Sequence, residues 1–252
     1  SDIVIRYQGG NNAGHNLVIN NETFKLNILP SGILRKGKIS IIGNGVVLDL
    51  AAFQKEVAGL KERGVDITPS NLYISDRATI ILPLHQSLDE LRENNNLIKI
   101  GTTKRGIGPA YEDKVGRRAI RLCDLFDKEK LKKKIEILLN HHNAIMRGFG
   151  LDEYNLEEVV SEIYELGEYA KPFAKTINDI TNVINSGKEK ILFEGAQGFL
   201  LDIDHGTYPF VTSSNVHASY ASIGSGLNPK VINHILAICL LYTSDAADDN
   251  VG

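Results

Sequence analysis

Near its beginning the chain reads Ile3-Val4-Ile5-Arg6-Tyr7-Gln8-Gly9-Gly10-Asn11-Asn12-Ala13-Gly14-His15. An apolar run changes abruptly into a loop made of glycine, asparagine and one histidine. The first five residues predict a strand, and the glycines let the backbone turn tightly and come close to a ligand. In α/β proteins with parallel sheets, ligands bind beyond the carboxyl ends of the strands. This loop is therefore the first place to look for chemistry.

Short apolar runs alternate with helical periods along the rest of the chain. The sequence predicts strands at 39–42, 71–75, 78–84 and 190–193, and helices at 50–60, 128–146 and 155–169. Asp49 is the expected N-cap of the first helix and Gly64 its expected stop. Ser87-Leu88-Asp89-Glu90 has the capping-box form, which predicts that another helix opens there. The alternation predicts an α/β fold with a largely parallel sheet covered by helices on both faces.

Composition narrows the class of protein. The 252 residues include 28 basic and 31 acidic side chains, which gives a net charge of −3, and 42% are hydrophobic. Such a chain forms one large or two small globular domains, and it lacks the basic excess of a dedicated nucleic-acid binder. Cys123 and Cys239 are too few for a disulfide framework or a zinc ribbon. Without an apolar run of about 18–20 residues, we expect a cytoplasmic protein that has no membrane partner.

Two interpretations of the first loop stay open on its local pattern. Asn11 and Asn12 offer amide donors and acceptors, and His15 can act as an acid or a base near neutral pH. The alternative is a glycine-asparagine turn with one structural histidine. The segment matches neither the dinucleotide fingerprint nor the Walker A motif.

A second segment, 101–118, begins with Gly101-Thr102-Thr103 and continues into a basic stretch. Between 104 and 121, six basic side chains face two acidic ones, a local charge of +4: Lys104, Arg105, Lys114, Arg117, Arg118 and Arg121. Threonine hydroxyls and arginine forks beside a glycine-rich turn suit a phosphate or a carboxylate. A solvated basic face and a nucleic-acid patch are the alternatives.

A third segment, 193–215, crowds small, polar and acidic residues after a predicted strand. Asp202, Asp204 and His205 have metal-ligating side chains, but they lack a fixed ligand spacing, so we favour caps and turns. Gln197 is better placed for a ligand because it follows the strand. The remaining histidines show no partner pattern and are expected to be structural: His85, His141, His142, His217 and His234.

Together, in this order and spacing, the three segments resemble the adenylosuccinate synthetase family. The resemblance runs from about residue 3 to about residue 238, and its matching stretches are 6–10, 12–15, 30–34, 42–47, 106–115, 193–198 and 200–215. It implies a fold like that of the P-loop NTPases. We therefore expect one family domain over 1–238, truncated at both ends, and a tail over 239–252 that is foreign to the family and that we interpret as an artefact.

The resemblance also implies a reaction. Enzymes of this family are ligases of purine (AMP) biosynthesis that form a carbon–nitrogen bond between IMP and L-aspartate, using GTP and Mg²⁺. GTP phosphorylates the purine O6, and the aspartate amine then displaces phosphate from 6-phosphoryl-IMP, giving adenylosuccinate, GDP and phosphate. Phosphate leaves a purine carbon far more readily than oxide does. A general base takes the N1 proton, and a general acid steadies the phosphoryl group.

The residue roles carry over by position. His15 resembles the catalytic acid, and the Gly14 backbone carbonyl resembles a Mg²⁺ ligand. The IMP contacts implied are Asn12, Ala13, Gly14, His15, Thr103, Arg117, Gln197 and Thr212, and the GTP contacts are Gly14, His15 and Asn16. Arg105 is an implied helper. Arg117 resembles an arginine that reaches the IMP of a neighbouring subunit, which implies a homodimer.

Several features depart from the family pattern. Asn16 stands where threonine is usual, Lys104 where glycine is usual, and residues 216–220 replace a smaller stretch. The family's phosphate loop with its general base precedes the first matching strand and is absent from this sequence. We therefore expect residues 1–252 by themselves to retain weak IMP affinity at best and no synthetase activity. A phage-type relative acting on dGMP and a catalytically dead nucleotide-binding module are the alternatives, followed by a nucleic-acid binder.

Overall fold

A parallel sheet of five strands forms the centre of the fold in the computed structural model, which describes residues 1–95, 97, 99–184 and 189–236. Its strand order is β8-β6-β4-β1-β9. These strands are β1 (Ile3–Arg6), β4 (Ile39–Ile42), β6 (Leu72–Ser75), β8 (Ala174–Lys175) and β9 (Ile191–Glu194). Two smaller pairs accompany them: the antiparallel β2 (His15–Ile19) and β3 (Glu22–Leu26), and the parallel β5 (Val47–Asp49) and β7 (Thr79–Ile81).

Seven α-helices connect or cover these strands within the described ranges. They are α1 (Leu50–Glu62), α2 (Pro83–Asn95), α3 (Ile107–Val115), α4 (Lys128–Gly148), α5 (Leu156–Ala170), α6 (Ile177–Ile184) and α7 (Tyr220–Ser225). Two hydrophobic cores, one on each face of the sheet, are packed between the helices and the strands. The larger core packs α1, α4 and α5 around Phe53, while Ile180 of α6 packs on Ile3 and Ile41 from the opposite face. The predicted α/β fold with a helix-covered parallel sheet is confirmed.

Strand β1 lies inside the sheet and is buried along its whole length. Ile5 pairs with Ile41 of β4 on one side and with Phe193 of β9 on the other. The strand is apolar because helices cover both faces of the sheet. The last residue of β1 is Arg6, so a basic side chain lies at the point where the chain leaves the core.

Helix α1 forms where the sequence predicts it. The Asp49 carboxylate caps it by accepting a hydrogen bond from the Ala52 amide at 2.9 Å. Gly64 just beyond its end has a φ of +80°, the left-handed conformation that glycine adopts at helix ends. Phe53 is completely buried on the apolar face.

The predicted helix start at Ser87 is wrong. Helix α2 begins at Pro83, because proline has no amide hydrogen to lose in the first turn and its fixed φ suits that position. The strand predicted over 78–84 is therefore shorter and ends at Ile81. Ser87 lies inside the helix, where its hydroxyl meets that of Tyr154 at 2.6 Å.

The hairpin of β2 and β3 has no counterpart in the sequence prediction. His15 is the first residue of β2 and pairs with Leu26, so it lies at a strand end and not in the loop. Residues 239–252, the expected foreign tail, lie outside the described ranges. No helix in the described part of the chain is long and apolar enough to cross a membrane.

Candidate functional site

The candidate site is built where β1 and β9 end side by side. Arg6 and Glu194 are register partners at these ends, and Arg6 Nη1 lies 3.4 Å from Glu194 Oε1. The other Glu194 oxygen accepts hydrogen bonds from the Ser31 amide, at 3.1 Å, and from the Ser31 hydroxyl. Arg6 is only 2% exposed, so this pair is a fixed charge arrangement beneath the loop.

His15 lies against this pair. Its Nε2 is 3.6 Å from Glu194 Oε1, and the ring is about one-third exposed. Burial lowers the pKa of His15 most, Glu194 acts to raise it, Arg6 lowers it, and a hydrogen bond with the Ala13 backbone raises it. Because the net direction is downward, His15 is mainly neutral at pH 7, with an anion beside it that favours protonation.

The glycine loop is clamped onto helix α3. The Gly9 amide donates to the Tyr111 hydroxyl at 2.9 Å, and that hydroxyl donates to the Gly45 carbonyl at 2.7 Å. A Cβ at Gly10 would lie 2.5 Å from Ile107 Cδ1 and 2.9 Å from the Val47 carbonyl oxygen, so this close approach favours glycine. Burial raises the pKa of Tyr111, which keeps the hydroxyl protonated as a donor.

Amide side chains join the first and third segments. Asn12 Oδ1 accepts from the Gly10 amide at 3.3 Å and from Gln197 Nε2 at 3.1 Å. Asn11 Nδ2 donates to Asp49 Oδ2 at 3.4 Å, which connects the loop to the N-cap of α1. The structure thus brings together Gln197 and Asn12, which the sequence analysis placed in separate segments.

Several buried polar atoms in this region have no hydrogen-bond partner within the described protein. They are both amide atoms of Gln8, Asn11 Oδ1, Gln197 Oε1 and Thr102 Oγ1. Buried polar groups in folded proteins are nearly always paired, with protein, water or ligand. Their concentration around one loop fits a site that binds a polar molecule.

Structural contacts occupy several basic side chains of the second segment. Arg105 donates to the Asn11 carbonyl, which ties this segment to the first loop. Lys114 Nζ donates to the Asn44 carbonyl at 3.1 Å, and burial, helped by the charge of Arg121, lowers the pKa of Lys114 to about 8. The local charge of +4 therefore overstates what this segment offers to an anion.

Lys104 and Arg117 share an unusual backbone conformation, with φ values of +54° and +60°. Lys104 Nζ lies 3.4 Å from Glu90 Oε1, and this pair is exposed. Arg117 is exposed at the end of α3. The backbone conformation of this turn therefore sets the direction in which the Arg117 side chain leaves the chain.

Thr103 and Thr212 are both half-buried, and the Thr212 amide donates to the Leu201 carbonyl at 2.9 Å. Their segments meet closely, since a Cβ at Gly108 would lie 3.1 Å from Ser213 Oγ. A cavity of about 370 Å³ opens here, and its wall includes Thr102, Ser213, Gly108 and residues of α2.

Asp202 supports the interpretation of the third segment as a capped turn. Its buried carboxylate accepts backbone hydrogen bonds from Asp204 at 2.9 Å, His205 at 3.0 Å, Val216 at 2.5 Å and His217 at 2.9 Å. These donors lower the pKa of Asp202 in spite of its burial. A carboxylate already satisfied by four N–H groups is poorly suited to a metal ion. His205 stacks on the Phe199 ring instead.

Sequence reasoning missed three residues of the site, Arg6, Glu194 and Tyr111. A charged residue ending each of two apolar strands was a usable signal for Arg6 and Glu194. His85 and His142, which we expected to be structural, share a partner that the sequence did not reveal, since Nε2 of each lies within 2.9 Å of Asp113 Oδ2.

Parallel α/β proteins bind their ligands at the carboxyl edge of the sheet, and here that edge carries a glycine-rich loop, unpaired amides and a histidine–carboxylate pair. The family model of adenylosuccinate synthetase matches residues 1–249. The chain belongs to the adenylosuccinate synthetase family.

Two solved structures are similar to this chain. The fully ligated adenylosuccinate synthetase from Plasmodium falciparum is 34% identical, with a TM-score of 0.82 over 92% of this chain and 54% of that one. The succinoaminodeoxyadenylate synthetase of cyanophage S-2L, bound to dGMP and dATP as an energy donor, is 20% identical. Its TM-score is 0.59 over 91% of this chain and 53% of that one, a likeness of fold. The chain spans about half the length of each of these proteins.

Proposed function

We propose that this chain is part of a ligase that joins L-aspartate to IMP, using GTP, through 6-phosphoryl-IMP. The observation that carries the proposal is His15, held beside Glu194 and Arg6 directly after the glycine loop. The 34% identity to a synthetase over 92% of the chain supports the choice of substrates.

In this proposal His15 is the general acid, and it hydrogen-bonds the phosphoryl group in flight. A neutral imidazole can donate one hydrogen bond, and a nearby phosphoryl anion favours its protonation. Glu194 steadies the protonated form, and Arg6 holds Glu194 in place. Burial excludes water from the Arg6 side of the pair, so these interactions are stronger than they would be in water.

The amides are proposed to recognise IMP. Asn12 and Gln197 already contact each other, and the free oxygen of Gln197 is available to a purine N–H donor. Ala13 and Gly14 form the adjoining backbone, Thr103 is assigned to the IMP phosphate, and Thr212 and Arg117 are assigned to IMP as further contacts. Arg117 acts from a second copy of the chain, so the proposal includes a homodimer.

Mg²⁺ is implied by the family, and the donor available here suits it. Backbone carbonyl oxygens are hard ligands of the kind that Mg²⁺ takes, usually together with phosphate oxygens and water. We assign the Gly14 carbonyl to the ion, which when bound neutralises phosphate charge. A Cβ at Gly14 would lie 2.9 Å from Asn27 Oδ1, so a larger residue would crowd this position. Asn16 and His15 adjoin the GTP phosphates, and Arg105 acts as a helper by holding Asn11.

The test uses the full-length gene product that contains this chain, assayed for adenylosuccinate formed from IMP, aspartate and GTP. We expect His15→Ala to abolish turnover, and the matched change His234→Ala, at an exposed position, to preserve it. Normal turnover by His15→Ala would refute the assigned role. Replacing IMP by dGMP in the same assay separates the two substrate alternatives. Product formation by residues 1–252 alone would refute our expectation that this chain is inactive without additional sequence.

A further inference from the structure

A buried carboxylate outside the candidate site joins three helices. Asp113 of α3 accepts at Oδ2 from Nε2 of His85 in α2, at 2.9 Å, and from Nε2 of His142 in α4, at 2.8 Å. Arg118 Nε lies 2.5 Å from the other oxygen, Oδ1. Asp113 and His85 are completely buried, and His142 is 1% exposed. None of these groups takes part in the proposed reaction.

The proton positions in this cluster follow from one backbone contact. The Leu82 amide donates to His85 Nδ1 at 2.9 Å, so Nδ1 carries no proton. The proton of the neutral ring is therefore on Nε2, which donates it to Asp113. Burial lowers the pKa of His85 most, which keeps the ring neutral.

A metal ion is the other interpretation, because one ligand atom each from His85, Asp113 and His142 lies within 4.8 Å of the others. The hydrogen bonds argue against it. A protonated Nε2 has no lone pair for a metal, and the Arg118 guanidinium on Oδ1 would repel a cation. The contact lengths of 2.8 and 2.9 Å are also those of ordinary hydrogen bonds. The cluster is a hydrogen-bonded anion.

Asp113 also controls the turn that follows α3. Its backbone carbonyl accepts from the amides of Arg118, at 3.1 Å, and Ala119, at 3.2 Å. These two backbone hydrogen bonds, together with the Arg118 side chain, hold the two residues that directly follow Arg117. Arg117 itself has a φ of +60° and an exposed side chain, so its direction depends on this turn.

Helix α3 serves both parts of the site. Tyr111, two residues before Asp113, holds the Gly9 amide. The contacts of Asp113 therefore fix the position of helix α3 relative to the glycine loop. They also fix the position of the following turn relative to helix α3. Several side chains converge on this one buried carboxylate, and a satisfied buried network of this kind is rigid. Such rigidity is consistent with a need to place helix α3 precisely.

We propose that Asp113 is a positioning residue that holds the turn carrying Arg117. It does so through one carboxylate, which accepts hydrogen bonds from His85 and His142 and forms an ion pair with Arg118. The functional consequence rests on the proposed role of Arg117 toward IMP. The positioning itself is tested separately.

The first experiment measures amide hydrogen exchange at 117–119 in residues 1–252. Asp113→Asn replaces an acceptor by an amide that presents N–H to donors, so we expect exchange there to quicken at least about tenfold. Asp152→Asn makes the same chemical change at an exposed site and should leave these amides as in the wild type. Unchanged exchange in Asp113→Asn would overturn the proposal.

A second variant, Arg118→Gln, tests the proposal even if Asp113→Asn fails to fold. It removes the ion pair with Oδ1, together with the Arg118 contact to Glu112, and leaves the two histidine bonds in place. We expect faster exchange confined to the turn, with the exchange of α4 unchanged. Equal loosening of α4 and the turn, or no change in the turn, would contradict the assigned link.

The second experiment is a double-mutant cycle in the full-length gene product. Asp113→Asn and Arg117→Leu should each raise KM for IMP about tenfold while kcat changes less than about threefold, and the pair should do no more than either alone. Additive effects would make Asp113 merely structural and refute the proposal. If the wild type does not use IMP, the proposed function fails, and the exchange experiment still decides the positioning.

Discussion

Arg6 and Glu194 end neighbouring parallel strands as register partners, and their side chains meet at 3.4 Å. Because the sheet fixes this register, the charge pair is placed by the backbone and not by flexible loops. Glu194 then faces His15 at 3.6 Å from the same oxygen. Protonation of His15 should therefore depend on Glu194, and this dependence can be measured without substrate.

We expect NMR titration of His15 to give a midpoint below its usual pKa of 6.5, because burial is the largest influence on it. Glu194→Gln removes the negative charge that opposes the effect of burial on the pKa of His15, so the midpoint should move further down. Glu22→Gln, an exposed change on the same hairpin, is the matched control. An unchanged or raised midpoint in Glu194→Gln would show that the carboxylate does not act on the ring.

Local pattern in the sequence was enough for β1, α1 and the parallel sheet. An apolar run, a capping aspartate and an apolar helical face are signals carried by neighbouring residues. The capping-box prediction at Ser87 failed because Pro83, four residues earlier, is a stronger start signal than a serine inside a helix. The hairpin at 15–26 was missed because β2, one of its two strands, is only partly buried. A strand of this kind has only a weak alternation of apolar and polar residues.

The site was only half visible in the sequence. The loop residues Asn12 and Gln197 could be found because glycines surround them. The Arg6–Glu194 pair, the Tyr111 clamp and the Asp113 cluster could not, since each joins residues brought together only by strand register or helix packing. Sequence distance hides such contacts: 188 positions separate Arg6 and Glu194.

Close approach of the glycine loop to α3 predicts a large difference between two glycine substitutions. In Gly10→Ala the new Cβ would lie 2.5 Å from Ile107 Cδ1 and 2.9 Å from the Val47 carbonyl, so we expect a loss of about 1–3 kcal/mol in the free energy of unfolding. Gly59→Ala lies inside helix α1 with no atom within 4 Å of its Cβ, and should gain about 0.5–1 kcal/mol. Urea denaturation measures both, and equal effects would mean that the loop does not contact the helix this closely.

The positive φ of Lys104 predicts that glycine is better there. A non-glycine residue in the left-handed region costs about 1–2 kcal/mol, offset in part by the greater entropy of glycine in the unfolded chain. Because the contact with Glu90 is exposed, its loss should matter little. We therefore expect Lys104→Gly to raise the free energy of unfolding by up to about 1 kcal/mol, and Lys104→Ala, which keeps the strain, to give no gain. A loss in Lys104→Gly would show that the lysine side chain matters more than its backbone.

The buried cluster at Asp113 predicts a stability that falls in two stages as pH decreases. His85 has a lowered pKa because of burial, so below pH 6.5 the unfolded chain takes up a proton that the folded chain refuses. The free energy of unfolding should fall there by up to about 1.4 kcal/mol per pH unit from this residue. Asp113 also has a lowered pKa, so its contribution is complete above about pH 4 and disappears only at lower pH.

Urea denaturation across pH 3–8 tests this directly. His15 and His141 have lowered pKa values too, and so the test compares variants and not the wild-type slope alone. In His85→Gln the fall between pH 6.5 and 4 should become shallower, because the amide keeps an N–H donor for Asp113 but binds no proton. His234→Gln is the matched loss of an exposed imidazole and should follow the wild type. A wild-type slope in His85→Gln would mean that this ring is protonated in the folded protein. The hydrogen bond from Leu82 to its Nδ1 forbids that state.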